Sequence, residues 1–403
     1  MMKTVRFPGY FKDFVCTGSA CEDTCCASWD ISADKKALER YGKVTGEFGK
    51  RLKQSVNRKT GAFIQKKGRC PFLNEKNLCD IYSEIGKENL CRTCKNYPRH
   101  AEVYGKLYEV SLSLSCPEAA RLILDGQREA DFYVRNRNSK SSGKSEISGA
   151  CYGTGSAGVS TDDEVDERLL TELLSFRSAM FALLKRRELS IELRMSMILA
   201  MGHDGQRYIA KKDFAALEGI GSRYLASGAA ERFAGLLKPY ERQREKGRDL
   251  LCRYVELCGG LEEIVPDWRK KIEQLADILY GSKTETEEYA GCRDALKDGY
   301  EDYEADLERL MTYFLYVYVP GGVYDGDLYG TVKFAVFSCL MIREMAIGIQ
   351  MKSGTFEKKD AVRISYLYAR ELEHCDENLE ETEEWLESSG LFSLKTLLLC
   401  INS

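Results

Sequence analysis

The sequence predicts a mainly α-helical protein, in which a small cysteine-rich α+β head precedes an all-α domain. Three observations lead to this prediction. Nine of the 16 cysteines fall between Cys16 and Cys116, a Ser/Gly-rich segment occupies residues 136–163, and apolar residues recur at helical spacing from Glu164 onward. We therefore expect a metal-binding head over residues 1–130, a linker or insertion over 136–163, and a helical domain over 164–403.

Short signals predict the elements of the head. Ser32 is a candidate N-cap for a helix that runs through Tyr41. Residues 102–115 alternate apolar and polar side chains around Gly105-Lys106, which is typical of a β-hairpin. Pro117 and Glu118 directly after Cys116 then favour a helix start, because proline suits the first helical position and an acidic residue suits the first turn.

The segment 136–163 has few large apolar side chains and therefore predicts a linker. Its glycines at 153, 155 and 158 resemble a nucleotide-binding loop only superficially. Such a loop needs a strand before it and a helix directly after it, and neither pattern is present.

The helical domain is predicted from apolar stripes. The first runs through Val165, Leu169, Leu173, Phe176, Met180 and Leu184, and further stripes lie at 191–201, 250–257, 307–317, 332–349 and 362–372. No repeat of fixed period is present, which argues against a solenoid, and no apolar run reaches the 18 residues of a transmembrane helix.

The charge distribution does not predict a nucleic-acid-binding protein. The net charge is −4, and residues 1–116 carry 21 basic and 13 acidic residues without a basic run. This small surplus of positive charge in the head would partly offset an anionic ligand or cofactor.

The cysteines predict a metal site. The first residues contain no apolar segment typical of a signal peptide, so we expect a cytoplasmic protein, and a reducing compartment disfavours a disulfide framework. With only three histidines in the chain, a sizeable metal site must be rich in thiolates, which select zinc, Cu(I) or iron–sulfur clusters. The excess over four cysteines favours an iron–sulfur cluster, and zinc remains the alternative. The CxxxCxxC loop of radical S-adenosylmethionine enzymes is absent, because Ser28 stands where its third cysteine would be.

Four segments resemble the flagellin lysine-N-methylase family. They are FVCTGSACEDTCCASWDI from Phe14, CPFLNEKNLCDIY from Cys70, NLCRTCKNYPR from Asn89 and SLSLSCPEAARLIL from Ser111. The segments between Cys70 and Arg99 also resemble a broader group of zinc- or iron-chelating cysteine-cluster domains.

The resemblance implies transfer of a methyl group from S-adenosylmethionine to lysines of flagellin, with an iron–sulfur cluster, of the 4Fe-4S type, in the head. It implies the ligand pool Cys21, Cys25, Cys26, Cys70, Cys79, Cys91, Cys94 and Cys116. Cys16 also lies in a matching segment. The alternative function is a non-catalytic zinc- or iron-binding module joined to a helical interaction domain.

Several side chains have a functional and a structural interpretation. Arg99 could bind the carboxylate of the methyl donor and His100 could act as a base, or both could be surface charges that follow Pro98. Trp29 is predicted to pack within the head, and His374 is predicted to lie on a solvated helix. The tyrosines around Pro320 are predicted to fill a helix end rather than to surround a methylated ammonium. The sequence assigns no catalytic residue and no oligomeric state.

Overall fold

The computed structural model describes residues 3–27, 29, 31–66, 68–125, 132–137, 165–281, 284–388 and 390–403, without the side chains of 132–137. The chain forms two compact units. The cysteine-rich unit comprises Met1–Asp163, Ile264–Pro266 and Leu372–Cys375. The helical unit comprises Glu164–Glu263, Asp267–Glu371 and Asp376–Ser403.

A four-stranded sheet forms part of the cysteine-rich unit. Its strands are β1 (Lys3–Pro8), β2 (Arg99–Tyr104), β3 (Leu107–Leu112) and β4 (Phe132–Arg137). They lie in the order β2-β3-β1-β4, with β1 parallel to β3 and the other two pairs antiparallel. The predicted hairpin is confirmed as β2-β3, and Gly105 adopts a φ of 58° in its turn. The linker was expected from residue 136, but β4 runs to Arg137, and residues 138–163 lie outside the described residues.

Five short helices complete the described part of this unit. They are α1 (Lys35–Lys43), α2 (Gly46–Ser55), α3 (Asp80–Ile85), α4 (Arg92–Asn96) and α5 (Pro117–Leu124). The predicted helix α5 is confirmed, with Pro117 in its first turn. The predicted cap of α1 was wrong: Asp34 caps this helix by accepting a hydrogen bond from the Ala37 amide, whereas Ser32 pairs with Ala62 in an isolated β-bridge.

Two apolar clusters stabilise the cysteine-rich unit. The first surrounds Leu52, Phe72 and Ile81, and it includes the side chains of Cys70 and Cys91. The second lies on the sheet around Val110 and Leu112 and includes Cys116. Sulfur is therefore part of both cores, at positions where a larger domain would place aliphatic side chains.

The helical unit contains the remaining helices. They are α6 (Glu167–Leu184), α7 (Ile191–Ile209), α8 (Phe214–Leu225), α9 (Ala229–Glu241), α10 (Arg244–Gly260), α11 (Trp268–Tyr280), α12 (Thr286–Gly299), α13 (Tyr303–Tyr318), α14 (Gly322–Asp325), α15 (Leu328–Ser353), α16 (Lys358–Glu373, whose last two residues belong to the cysteine-rich unit), α17 (Asp376–Ser388) and α18 (Leu394–Ile401). The predicted mainly α class is confirmed. None of the helices in the described ranges is long and apolar enough to cross a membrane.

Buried charges in the helical unit are paired by neighbouring helices. Arg194 on α7 donates to Glu308 on α13 at 2.6 Å, and both side chains are buried. Glu344 on α15 is fully buried and accepts hydrogen bonds from Arg343, Tyr280 and Tyr289. Each buried carboxylate is thus compensated by several donors, as burial of a charge requires.

The tyrosines near Pro320 belong mainly to this core. Tyr313 and Tyr316 are buried, Tyr318 packs against Phe334 at 4.6 Å between ring centroids, and Tyr324 is exposed. These placements agree with the structural interpretation of the tyrosine cluster.

Candidate metal centre

Three cysteines of the predicted ligand pool occupy the N-caps of short helices. Cys79 precedes α3, Cys91 precedes α4 and Cys116 precedes α5. Against the opposing effect of burial, the backbone N–H groups two and three residues further along the chain act to lower the pKa of each thiol: those of Ile81 and Tyr82 for Cys79, those of Thr93 and Cys94 for Cys91, and those of Glu118 and Ala119 for Cys116. They thereby favour the thiolate form, which is the form that binds metal.

Five thiols converge in the first apolar cluster, and we call them the inner thiol group: Cys26, Cys70, Cys79, Cys91 and Cys94. The Cys70 amide donates to the Cys26 carbonyl at 2.9 Å, which joins the loop after β1 to the loop before α3. The Cys94 thiol lies within electrostatic reach of Cys91, Cys26 and Cys70. Burial and the neighbouring Cys26 and Cys79 sulfurs raise the pKa of Cys70 to about 12, although the Phe72 amide opposes this shift.

Four further thiols are linked as electrostatic neighbours, and we call them the outer thiol group: Cys16, Cys21, Cys25 and Cys116, of which Cys116 packs in the second apolar cluster. Burial raises the pKa of Cys116 to about 11, and the charges of Cys21 and Cys16 contribute to this rise. Cys25 has Cys116 and Cys16 among its electrostatic neighbours. Cys16 is exposed and Cys116 is buried, so this group extends from the sheet core to the surface.

The two groups meet at the neighbouring residues Cys25 and Cys26, whose thiols interact with each other. This interaction, together with the Thr24 hydroxyl and the Arg69 guanidinium, lowers the pKa of Cys26 to about 7 against the opposing effect of burial. It raises the pKa of Cys25, which burial raises further. Of the two neighbouring thiols, Cys26 is therefore the one whose thiolate form is favoured.

The buried hydroxyl of Tyr41 bears on whether the inner thiol group suits a metal. Its side chain is 3% exposed, and its hydroxyl is buried without a hydrogen-bond partner among the described residues. Burial raises the pKa of Tyr41, and Cys91, Cys94 and Cys79 raise it further, which places the hydroxyl among these thiols. A buried hydroxyl is costly to leave unpaired, and a thiolate or an inorganic sulfide would accept its hydrogen bond. The unpaired hydroxyl and the soft donor set therefore suit a thiolate-held cluster, whereas no three of these sulfurs form one of the groups within 4.8 Å that a single ion would need among the described residues.

Arg99 lies beside the outer thiol group. Its guanidinium donates to the Phe14 carbonyl at 3.2 Å and stacks over the Phe14 ring at 4.8 Å. Burial lowers the pKa of Arg99, and the sulfurs of Cys16 and Cys116 oppose that shift. The predicted cofactor-binding arginine is thus close to the predicted ligand Cys116 and to Cys16 rather than isolated on the surface.

His100 follows Arg99 on β2 and pairs with a carboxylate. His100 Nε2 lies 2.6 Å from Glu102 Oε1. Although burial alone would lower the pKa of His100, the hydrogen bond to Glu102 and its negative charge raise it. A histidine on this strand is thereby poised to hold or accept a proton.

Three aromatic side chains of the cysteine-rich unit pack together: Trp29, Tyr97 and His374. The ring centroids of Trp29 and His374 are 4.6 Å apart in a stacked arrangement, and the Trp29 Nε1–H donates to the Cys25 carbonyl at 2.7 Å. His374 Nε2 lies 2.8 Å from the Ser115 hydroxyl. The prediction that His374 is solvated was wrong, because segment Leu372–Cys375 belongs to this unit.

Comparison with known proteins decides the family. The model of the FliB lysine N-methylase C-terminal domain matches residues 177–400, which is more than half of the chain. The chain belongs to the FliB lysine N-methylase family. The predicted resemblance and the predicted enzyme class, a protein-lysine N-methyltransferase, are confirmed at the level of this family.

Curated relatives of this lysine N-methylase family member come from Salmonella. The flagellar biosynthetic protein FliU of Salmonella muenchen is 32% identical over 131 residues, which is 30% of this chain and 78% of FliU. Lysine-N-methylases of Salmonella choleraesuis and Salmonella typhimurium are likewise 32% identical over 131 residues, and the match spans 33% of their length. No solved structure shows a significant match to the chain.

Sequence reasoning missed two features of this family member's cysteine-rich unit. It did not separate the nine cysteines into two groups, because the separation depends on contacts between residues about a hundred positions apart, such as Cys16 and Cys116. It also missed His374, which follows Ser115 by 259 positions and carries no local motif.

Proposed function

We propose that this chain transfers methyl groups from S-adenosylmethionine to the ε-amines of lysines in flagellin, in the cytoplasm, and that it depends on an iron–sulfur cluster held by its cysteines. The observation that carries the proposal is the joint presence of the FliB lysine N-methylase domain and the thiol groups around Tyr41 and Arg99. The flagellar name of one relative, FliU, supports flagellin as the substrate.

The reaction requires the chain to hold the methyl donor and to make the lysine nitrogen lose its proton. The methyl carbon leaves the sulfonium sulfur, which becomes a thioether, and it bonds to the lysine nitrogen, which loses a proton. Because the ammonium of lysine has a pKa near 10.4, the enzyme must desolvate it or provide a proton acceptor. A bound iron–sulfur cluster would supply a one-electron donor or a Lewis-acidic iron.

Arg99 is our candidate for holding the methyl donor. Its planar guanidinium is oriented by the Phe14 carbonyl and the Phe14 ring, which leaves other N–H groups to bind a carboxylate in a bidentate manner. A lysine at this position would keep the positive charge but lose the planar pair of N–H donors. The Arg99→Lys variant therefore separates the effect of charge from that of bidentate binding.

His100 is our candidate for receiving the proton. Glu102 stabilises its protonated form, so a proton taken from the substrate would be held by the pair. The base must be neutral before it acts, and the rate should therefore fall as the pH drops through the pKa of His100.

The deciding experiment incubates anaerobically purified protein with unmethylated flagellin and isotope-labelled S-adenosylmethionine, and maps labelled lysines by mass spectrometry. We expect label on flagellin lysines, a large increase in the donor KM with a smaller effect on kcat for Arg99→Lys, and no change for the control Cys252→Ser in the helical unit. Metal-loaded protein that leaves flagellin unlabelled would contradict the proposal and favour the non-catalytic metal-binding module.

A further inference from the structure

We propose that a hydrogen-bonded chain of four side chains in the cysteine-rich unit carries away the proton that the substrate lysine releases. We call this chain the serine relay, and its members are His374, Ser115, Ser113 and Glu373. The inference rests on the proposed function, because the methyl transfer supplies the proton. It gives that proton a second acceptor besides His100, which is paired with Glu102 on β2.

Every link of the serine relay has the geometry of a hydrogen bond. Ser115 Oγ lies 2.8 Å from His374 Nε2 and 2.5 Å from Ser113 Oγ. The Ser113 hydroxyl then donates to Glu373 Oε2 at 2.8 Å. These distances are within the range of direct hydrogen bonds, so a proton can pass from each group to the next without a bridging water.

The carboxylate at one end sets the direction of all three hydrogen bonds. An ionised Glu373 can only accept, so it uses the single proton of the Ser113 hydroxyl. Ser115 must then donate to Ser113, because each hydroxyl has one proton. His374 Nε2 must therefore donate to Ser115, as must the Tyr97 hydroxyl, which lies 3.2 Å from Ser115 Oγ. The neutral imidazole thus carries its proton on Nε2 and its lone pair on Nδ1, where it can act as a base.

The proposed transfer balances without an oxidant or a reductant. The N–H bond of the substrate ammonium breaks, its electron pair stays on the nitrogen that accepts the methyl group, and the proton bonds to His374 Nδ1. The Nε2 proton then moves to Ser115, the Ser115 proton to Ser113, and the Ser113 proton to Glu373. The relay ends with a neutral carboxylic acid and a neutral imidazole that is protonated on Nδ1.

The surroundings of His374 place the relay beside the candidate metal centre. Its ring stacks on the Trp29 ring at 4.6 Å between centroids, and the Trp29 indole donates to the Cys25 carbonyl at 2.7 Å. Ser115 is fully buried and directly precedes the predicted ligand Cys116. Burial of a hydroxyl is favourable only when it is hydrogen-bonded, and the relay supplies these bonds at the site where methyl transfer is proposed.

The arrangement differs from that of a nucleophilic serine. In a hydrolase triad the carboxylate binds the Nδ1–H of the histidine, so that Nε2 accepts the proton of the serine. In the serine relay the carboxylate of Glu373 binds the second serine, Ser113, and the imidazole donates to the first. The geometry therefore favours proton transfer over acylation of Ser115.

Nitrogen NMR of full-length, anaerobically purified protein with isotope-labelled histidine tests the direction of the relay independently of activity. The chain has three histidines, so the signal that disappears in His374→Gln identifies His374. At a pH at which the ring is neutral, we expect the Nε2–H tautomer in the wild type and in the control Ser365→Ala, which changes a buried serine of the helical unit. Ser113→Ala removes the acceptor of Ser115 and should raise the Nδ1–H fraction. An Nδ1–H tautomer in the wild type, or an unchanged tautomer ratio in folded Ser113→Ala, would overturn the proposal.

Single-turnover methyl transfer in mixtures of light and heavy water tests whether protons move through the relay. Several protons in motion give a curved dependence of the rate on the deuterium fraction, which should become linear in Ser113→Ala. We expect His374→Gln and Ser113→Ala each to lower the rate about a hundredfold with little change in the donor KM, and Ser365→Ala to change neither. An active enzyme whose His374→Gln variant keeps the wild-type rate would overturn the relay alone. Wild-type protein that leaves flagellin unmethylated would overturn the proposed function, and the role of the relay with it.

Discussion

The two units of the chain differ in the surroundings of their buried polar groups. In the helical unit, the buried carboxylate of Glu344 has Arg343, Tyr280 and Tyr289 as donors, all supplied by the protein itself. In the cysteine-rich unit, the buried Tyr41 hydroxyl, which has Cys91, Cys94 and Cys79 as electrostatic neighbours, has no hydrogen-bond partner among the described residues. The Tyr329 hydroxyl of the helical unit is also buried without a hydrogen-bond partner among the described residues, but burial alone raises its pKa, whereas thiols contribute to the raised pKa of Tyr41. We therefore infer that the cysteine-rich unit needs a metal to complete its core.

Metal removal should show the largest difference between the two units. Binding of a structural zinc contributes on the order of 10 kcal/mol to folding in small metal domains, so anaerobic chelation should unfold the cysteine-rich unit and leave the helical unit folded. Limited proteolysis with mass-spectrometric mapping should then find new cleavages within residues 3–125 and none within the long helices α7 and α15. Equal protection of both units after metal loss would contradict the inferred metal dependence.

Loss of one charge in the helical unit should have the next largest effect. Glu344→Gln would leave Arg343 buried without its counter-charge, and removing one partner of such a pair costs about 3–5 kcal/mol. Thermal unfolding should reveal this loss, while the metal content stays unchanged. The control Glu47→Gln affects an exposed pair with Lys50 and should leave the melting temperature almost unchanged. A melting temperature equal to that of the control would show that Glu344 is not needed.

Substitutions of one helix N-cap in each unit compare the two units directly. Asp34 accepts from the Ala37 amide at 3.1 Å and from the Arg92 amide at 2.7 Å, so it caps α1 and also holds the start of α4, which carries Cys94. Asp213 caps α8 of the helical unit by accepting from the Ala216 amide at 3.1 Å. We expect Asp34→Ala and Asp213→Ala each to cost about 1 kcal/mol, with reduced metal retention for Asp34→Ala alone. Competition with a chelator measures this retention, and equal retention in both variants would exclude a positioning role for Asp34.

A smaller effect is expected from Tyr41→Phe. The substitution removes the buried hydroxyl beside the inner thiols but keeps the ring, so the stability of the metal-free protein should change little or increase. If the hydroxyl donates to a reduced, more negative cluster, its loss should lower the reduction potential of the metal-loaded protein. Spectroscopic redox titration measures this shift, with buried Tyr303→Phe of the helical unit as the control. Identical potentials for both variants would contradict the placement of Tyr41 against the metal.

The smallest change is expected in a pH profile. Because Glu102 raises the pKa of His100, Glu102→Gln should lower this pKa and move the acid limb of the kcat/KM profile to lower pH. Methyl-transfer rates between pH 5 and 8 on the flagellin substrate would measure the shift. An acid limb that does not shift would contradict the role of His100 as the proton acceptor.

The sequence predicts local features of this fold better than distant ones. Pro117 after Cys116 and Gly105 in its alternating segment determine α5 and the hairpin through nearest neighbours, and both are confirmed. The apolar stripe from Leu169 to Leu184 likewise coincides with α6. Ser32 and Asp34 are both good caps by residue type, and long-range contacts decide between them, because Asp34 also accepts from the Arg92 amide and Ser32 pairs with Ala62.

The candidate site is predicted in composition but not in arrangement. All eight predicted ligands lie in one of the two thiol groups, yet the division between these groups follows from the chain path that returns Cys116 to Cys16 and Cys21. The position of His374 next to Trp29 depends on a segment more than 340 residues away. Periodicity and spacing carry no information about such contacts.

The most direct test of metal-dependent lysine methylation is a single paired assay on anaerobically purified protein. One half retains its metal and the other is chelated, and both receive flagellin and labelled S-adenosylmethionine. We predict label on flagellin lysines only in the metal-loaded half, with restored labelling after reconstitution with iron and sulfide. Equal labelling in both halves would contradict the dependence on a metal centre, and absence of label in both would contradict the methylation of flagellin.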